Sequence, residues 1–179
     1  EIRNCDWSSD VCSSDLQRLS PVQVLSNVAD IQISQRHTLF LKTDNTVWAT
    51  GTNSFGQFGN GTTVSSFTPV QVLSNVKQIA CGYYHSLFLK TDGTLWATGG
   101  NTFGQFGNGN TISSLSPVFI RSNVAKISAY AYTTIFSAVD GLAFGTGANV
   151  YGQIGNGESG SGLYYTSSQQ VQFPQSIYS

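Results

Sequence analysis

PVQVLSNVKQIACGYYHSLFLKTDGTLWATGGNTFGQFGNG, residues 69–109, decides the fold, because most of it is already written once in the preceding residues. PVQVLSNV stands at Pro21–Val28 and again at Pro69–Val76, a displacement of 48 residues, and PVFIRSNV begins another 48 residues on at Pro117. The loop GTNSFGQFGNG at 51–61 returns as GGNTFGQFGNG at 99–109 and as GANVYGQIGNG at 147–157. Laid on 69–116 without a gap, 21–68 is about two-thirds identical. A fixed period of about 40–50 residues is the mark of a stacked array, and propeller blades fall in that class.

Within one period the local signals are all β. Pro69–Leu73 and Val76–Cys81 are rich in Val, Ile and Leu and are parted by the turn-prone Ser74-Asn75. His85–Lys90 and Thr94–Thr98 flank Thr91-Asp92-Gly93, and Asp and Gly accept the backbone a tight hairpin demands. No useful stretch has a helical 3.6-residue period. Four strands per repeat make one blade. The expectation is therefore an all-β partial β-propeller of about three four-stranded antiparallel blades. Its repeats run 21–68, 69–116 and 117–169, with the start of a fourth at 170–179, and Trp48 and Trp96 occupy equivalent buried places.

The spaced pattern resembles the regulator-of-chromosome-condensation (RCC1-like) repeat. Pro69, Val70, Ile79, Ala80, Gly82, His85, Asp92, Gly93, Trp96, Gly99, Asn101, Gly104, Gln105, Gly107 and Gly109 carry it in the second repeat. Ser34 departs from it in the first repeat, and Thr133 and Phe144 in the third. The resemblance covers nearly everything after residue 16 and implies a bacterial-type piece of a seven-bladed ring. On that expectation the natural protein is longer and this chain is an interior part of it. The family's nucleotide-exchange activity on a small GTPase is a further reading by analogy alone.

Residues 1–16 are set apart from the fold. Asp6–Leu16, DWSSDVCSSDL, reads as a translated sequencing-library adapter, and 17–20 as a short lead-in. Cys5 and Cys12 go with that stretch, so their spacing is not read as a disulfide or half a metal site. Cys81 then stands where the other repeats carry Ile33 and Ala129, as a small apolar core residue. The adapter-like stretch points to bulk environmental sequencing.

The chain has 8 Lys plus Arg against 9 Asp plus Glu, and only 9% of its residues are charged. No basic stripe marks a nucleic-acid binder, and no apolar run approaches the roughly 20 residues needed to cross a bilayer. A chain rich in Gly, Ser, Thr, Asn and Gln suits a bacterial secreted or cell-surface protein.

Catalytic and ligand motifs reduce to scaffolding. His37 and His85 hold equivalent places without a carboxylate cluster, and read as polar ties within the fold. Asp44, Asp92 and Asp140 each precede Asn or Gly, as turn residues bonding their own backbone do. The Gly-rich loops lack the Lys-Ser/Thr of a phosphate loop. No catalytic residue, cofactor, metal or small-molecule substrate is assigned. One block does vary between the near-identical flanks. Ser34-Gln35-Arg36 becomes Gly82-Tyr83-Tyr84 and then Tyr130-Ala131-Tyr132. Tyr and Arg are typical of binding hot spots. Arg36, Tyr83, Tyr84, Tyr130 and Tyr132 are therefore the candidate partner-binding residues, set as an arc on one rim. Packing between blades is the competing assignment for the tyrosines. The expected function is a non-catalytic protein-binding or scaffold propeller within a larger protein. The rival is the non-catalytic half of a propeller enzyme whose active site draws on further blades.

Overall fold

The computed structural model describes residues 21–172. Residues 1–16 with Trp7, Cys5 and Cys12, the lead-in 17–20 and residues 173–179 lie outside the described residues. Among the described residues, twelve strands form three four-stranded antiparallel sheets. Blade 1 holds β1 (Val28–Ile33), β2 (His37–Lys42), β3 (Val47–Gly51) and β4 (Ser66–Leu73). Blade 2 holds β5 (Val76–Cys81), β6 (His85–Lys90), β7 (Leu95–Gly99) and β8 (Ser114–Arg121). Blade 3 holds β9 (Val124–Tyr130), β10 (Thr133–Ala138), β11 (Ala143–Ala148) and β12 (Tyr164–Gln170).

The blades sit one strand out of phase with the sequence repeat. Pro69–Leu73 belongs to β4, the last strand of blade 1, and Pro117–Arg121 ends β8 in the same way. In blade 3, Gln170 closes β12 opposite Phe144, where Trp48 faces Gln71 and Trp96 faces Phe119.

Two apolar cores lie between consecutive blades. Leu39, Leu41, Val47, Ala49 and Phe58 of blade 1 meet Val76, Ile79, Cys81 and Phe88 of blade 2. Leu87, Leu89, Leu95, Ala97 and Phe106 of blade 2 meet Val124, Ile127 and Phe136 of blade 3. Each blade thus shows alternate residues of its strands to the blade before and the blade after. HTLFLK in β2 alternates between buried and half-buried, while the almost identical HSLFLK in β6 is buried at five successive positions. Blade 2 is covered on both faces and blade 1 on one.

Trp48 and Trp96 are equivalent, but both are half-buried rather than fully buried. Each indole Nε1 donates to the neighbouring Thr46 or Thr94 Oγ1, at 3.2 and 2.8 Å, and a lysine ammonium lies over each ring. These polar anchors hold one end of the indole toward water. Trp96 still packs against blade 1 and meets Phe119 edge-on at 5.7 Å.

Candidate functional site

The turns joining the first and second strands of each blade lie on one rim, beside the long loops that follow the third strand. Those loops are held from within by a repeated amide. Asn53, Asn101 and Asn149 accept a hydrogen bond from the backbone N–H of Phe58, Phe106 and Ile154, at 2.9, 2.9 and 3.0 Å. Their Nδ2 groups donate to loop carbonyls of Thr62, Asn110 and Glu158, at 3.0, 3.0 and 2.8 Å. Gln57, Gln105 and Gln153 accept from the N–H of Phe55, Phe103 and Tyr151 at 2.8–2.9 Å. All three asparagines are buried, so the loops are fixed by bonds that water does not contest. An aromatic ring is thereby held at each loop apex.

The turn residues reach those rings across the blade boundary. Tyr84 packs on Phe55 of the preceding blade, with centroids 4.7 Å apart, and Tyr132 packs on Phe103 at 4.9 Å. Tyr83 meets Tyr132 edge-on at 5.4 Å and Tyr130 at 6.3 Å, and Tyr84 lies 6.1 Å from Tyr132. Arg36 donates from Nη2 to the Tyr84 hydroxyl at 3.4 Å, its guanidinium 5.5 Å from the ring centre. The five sequence candidates are thus brought together in one strip over three blades. Arg36 and Tyr130 are exposed, whereas Tyr83, Tyr84 and Tyr132 are half-buried. Each tyrosine does pack across a blade boundary, and each keeps a face toward solvent. The strip also includes Phe55, Phe103 and Tyr164, which the sequence reading did not select. The first two are the same residue in the first and second repeats, so they passed as scaffold. A cavity of about 440 Å³ opens beside the strip between Gln35, Tyr83 and Tyr130.

The histidines lie directly beneath and act as ties between blades. His37 Nε2 is 2.8 Å from the Ser86 hydroxyl of blade 2, and His85 Nε2 is 3.0 Å from the Thr134 hydroxyl of blade 3. Ser86 gives its own proton to the Gln57 carbonyl at 2.7 Å, so His37 donates to it from Nε2. Burial holds His37 down at about 4 and His85 at about 3, with the nearby His37 adding to the effect on His85. Both rings are neutral at pH 7. A side chain at Gly82 would lie 2.1 Å from the His85 ring, so glycine is required there. Cys81 is a free buried thiol, pushed up to about 12 by burial, donating to the Gln32 carbonyl at 3.3 Å. The three aspartates sit in hairpin turns, each accepting the N–H two residues on at 2.9–3.0 Å. Hydrogen bonds from Thr46 and Thr94 hold the Asp44 and Asp92 carboxyls below their ordinary range. Among the described residues, no group of three or more His, Cys, Asp or Glu side chains is placed to hold a metal ion.

The model of the regulator of chromosome condensation (RCC1) repeat matches residues 44–89 and 92–136, and a second model of that repeat matches 28–57 and 76–105. No curated protein matches the chain. Human WBSCR16 is similar to it at 26% identity and a TM-score of 0.70, over 82% of this chain and 40% of that one. Yeast RCC1 (Prp20), solved bound to Kap60, is 21% identical with a TM-score of 0.69, over 83% and 37%. Prp20p from Saccharomyces cerevisiae, described with its binding properties to Gsp1p and histones, is 22% identical with a TM-score of 0.68, over 83% and 39%. The chain spans about 40% of the length of these structures.

Proposed function

The chain belongs to the regulator of chromosome condensation (RCC1) repeat family, and on that premise we propose that it is a non-catalytic binding propeller whose aromatic rim receives a protein partner. The observation that carries this is the continuous strip of Arg36, Phe55, Tyr84, Tyr132 and Phe103 running across blade boundaries. Rigid aromatic side chains lose little conformational freedom on binding and offer both apolar area and hydrogen bonds. The buried asparagines hold the rings in place before a partner arrives, which lowers the ordering cost of association. Prp20, a propeller of similar fold, is described with protein partners, which agrees with a protein-facing role. A bacterial secreted or surface protein is the setting its low charge suggests.

The test is a peptide- or domain-display selection against the immobilised chain. Binders should lose about five- to thirty-fold in affinity against Tyr84→Ala and Tyr132→Ala, the effect of removing a hot-spot ring. They should keep their affinity for Asp92→Ala on the opposite rim. Binders indifferent to both tyrosines contradict the proposal.

A further inference from the structure

The turns and loops of the aromatic rim, 34–36, 52–65, 82–84, 100–113, 130–132 and 149–163, carry Arg36 and Glu158 as their charged residues. Both are engaged locally, Arg36 with the Tyr84 hydroxyl and ring, and Glu158 with the Tyr165 hydroxyl. The hairpin rim, by contrast, has Lys42, Asp44, Lys90, Asp92 and Asp140 in its turns or at their edges. A surface so poor in charge and so rich in aromatic rings does not suit a charged partner. We propose that the rim receives a proline-rich segment in the polyproline II conformation, with one proline seated in the cavity of about 440 Å³ that Gln35, Tyr83 and Tyr130 line. It rests on the rim being a protein-binding surface.

The other common ways of receiving a protein segment fit the rim less well. A strand added to a sheet needs a row of unpaired backbone groups, and the rim consists of turns and loops. A helix wants an apolar groove, whereas Gln32, Ser34 and Gln35 line this cavity beside the tyrosines. An acidic or phosphorylated segment needs a cluster of cations, and the turns and loops of the rim have Arg36 alone. A polyproline II helix has no internal hydrogen bonds, so it brings bare carbonyls along with stiff apolar rings. It needs aromatic faces to pack on and donors to meet the carbonyls.

Both are present, and blade 2 supplies the centre of each, with blades 1 and 3 on either side. Tyr84 and Tyr132 stand 6.1 Å apart with their planes 33° from parallel, each backed by a phenylalanine of the preceding blade. The Tyr84 hydroxyl accepts from Arg36 Nη2, which leaves its own proton for a partner's carbonyl. In the cavity, the small residues Gly82, Ala129 and Ala131 leave the space that a proline ring would fill. The Tyr83 N–H donates to the Ala131 carbonyl at 2.8 Å, which ties the turn of blade 2 to that of blade 3. Ala131 holds a left-handed backbone to make that bond, with φ of 48°. Such a conformation is costly for alanine and persists where the surroundings fix it. The site is therefore set before a ligand arrives, which lowers the ordering cost of binding.

Fluorescence anisotropy of the 179-residue chain with labelled decaproline tests this, with Gly-Ser and oligoglutamate peptides of equal length as controls. Decaproline should bind at least about tenfold more tightly than either control. Added salt should scarcely weaken it. Tyr84→Phe keeps the ring and removes the donor, and should lower affinity about five- to tenfold. Ala129→Ile fills the cavity with the residue that blade 1 carries at that offset, Ile33. Circular dichroism should show the sheets intact in that variant, while decaproline affinity falls at least about tenfold. Asp92→Ala should bind like the wild type. Decaproline that binds no better than the Gly-Ser peptide overturns the proposal, and so does binding untouched by both Tyr84→Phe and Ala129→Ile. Display-selected binders separate this outcome from failure of the rim itself. If they lose affinity against Tyr84→Ala and Tyr132→Ala but carry no proline-rich segment, the binding rim stands and the proline-rich ligand is refuted.

Discussion

The two rims of these blades are built from turns at the same spacing, yet they differ in what the turn side chains do. On one rim Asn27, Asn75 and Asn123 all take a left-handed backbone, with φ of 57–60°. Their carbonyls accept the N–H of Thr43, Thr91 and Val139 at 2.9–3.0 Å. Asp44, Asp92 and Asp140 close the adjacent hairpins with equal regularity. On the other rim, Ser34-Gln35-Arg36, Gly82-Tyr83-Tyr84 and Tyr130-Ala131-Tyr132 agree at one position alone, where Tyr84 and Tyr132 coincide. Identity persists where every repeat uses the same side chain on its own backbone. It lapses where the tie differs from turn to turn: Ser34 Oγ donates to the His37 carbonyl at 3.0 Å, whereas in the next blade the Gly82 N–H meets the His85 carbonyl at 2.9 Å. Freedom of that kind is what a recognition surface can use.

The strongest challenge to the difference between rims is acid, because both histidines lie under the aromatic rim. Their folded pKa values, about 4 and 3, lie below the ordinary 6.5. Below pH 6.5 the unfolded chain therefore takes up protons that the folded chain refuses. Stability is full above that pH and falls as pH drops toward 4 for His37 and toward 3 for His85. The limiting slope is about 1.4 kcal/mol per pH unit for each histidine. Urea unfolding from pH 7 to pH 4 measures it, and His85→Gln should flatten the dependence. A flat profile in the wild type would refute the neutral inter-blade ties.

Asn101→Ala comes next in size. It strands the buried N–H of Phe106 and releases the loop carbonyls, for an expected loss of about 2–3 kcal/mol. Thermal unfolding should show it, together with weaker packing of Phe103 on Tyr132. Tyr84→Ala should be milder for the fold, about 1 kcal/mol, because the ring is half-buried, packing on Phe55 with Arg36 over its face. Its larger effect should be on partner affinity. Asp92→Ala should matter least, leaving binding unchanged and stability scarcely lower. A Tyr84 variant that unfolds as readily as the Asn101 variant would recast the aromatic strip as inter-blade packing.

The 48-residue period made the blades legible in advance, since side chains at one offset must serve one place in each blade. The same argument sets Arg36, Tyr83, Tyr84, Tyr130 and Tyr132 on a common rim. Which strand begins a blade was not legible, because a repeat can be cut anywhere, and hydrogen bonding rather than sequence put Pro69–Leu73 at the end of blade 1. Trp48 and Trp96 read as buried because apolar bulk signals a core. Their Nε1 bonds to Thr46 and Thr94, which keep one edge near water, depend on strand geometry. Phe55 and Phe103 escaped notice because contrast between repeats was the signal, and an unchanged residue supplies none.

The central claim is that binding belongs to the aromatic rim, and amide hydrogen exchange on the chain with and without a selected binder tests it most directly. Protection should rise at 34–37, 53–56, 82–85, 101–104 and 130–133, and stay unchanged at the hairpins 43–46, 91–94 and 139–142. Protection confined to those hairpins, with the tyrosine turns unaffected, would contradict it.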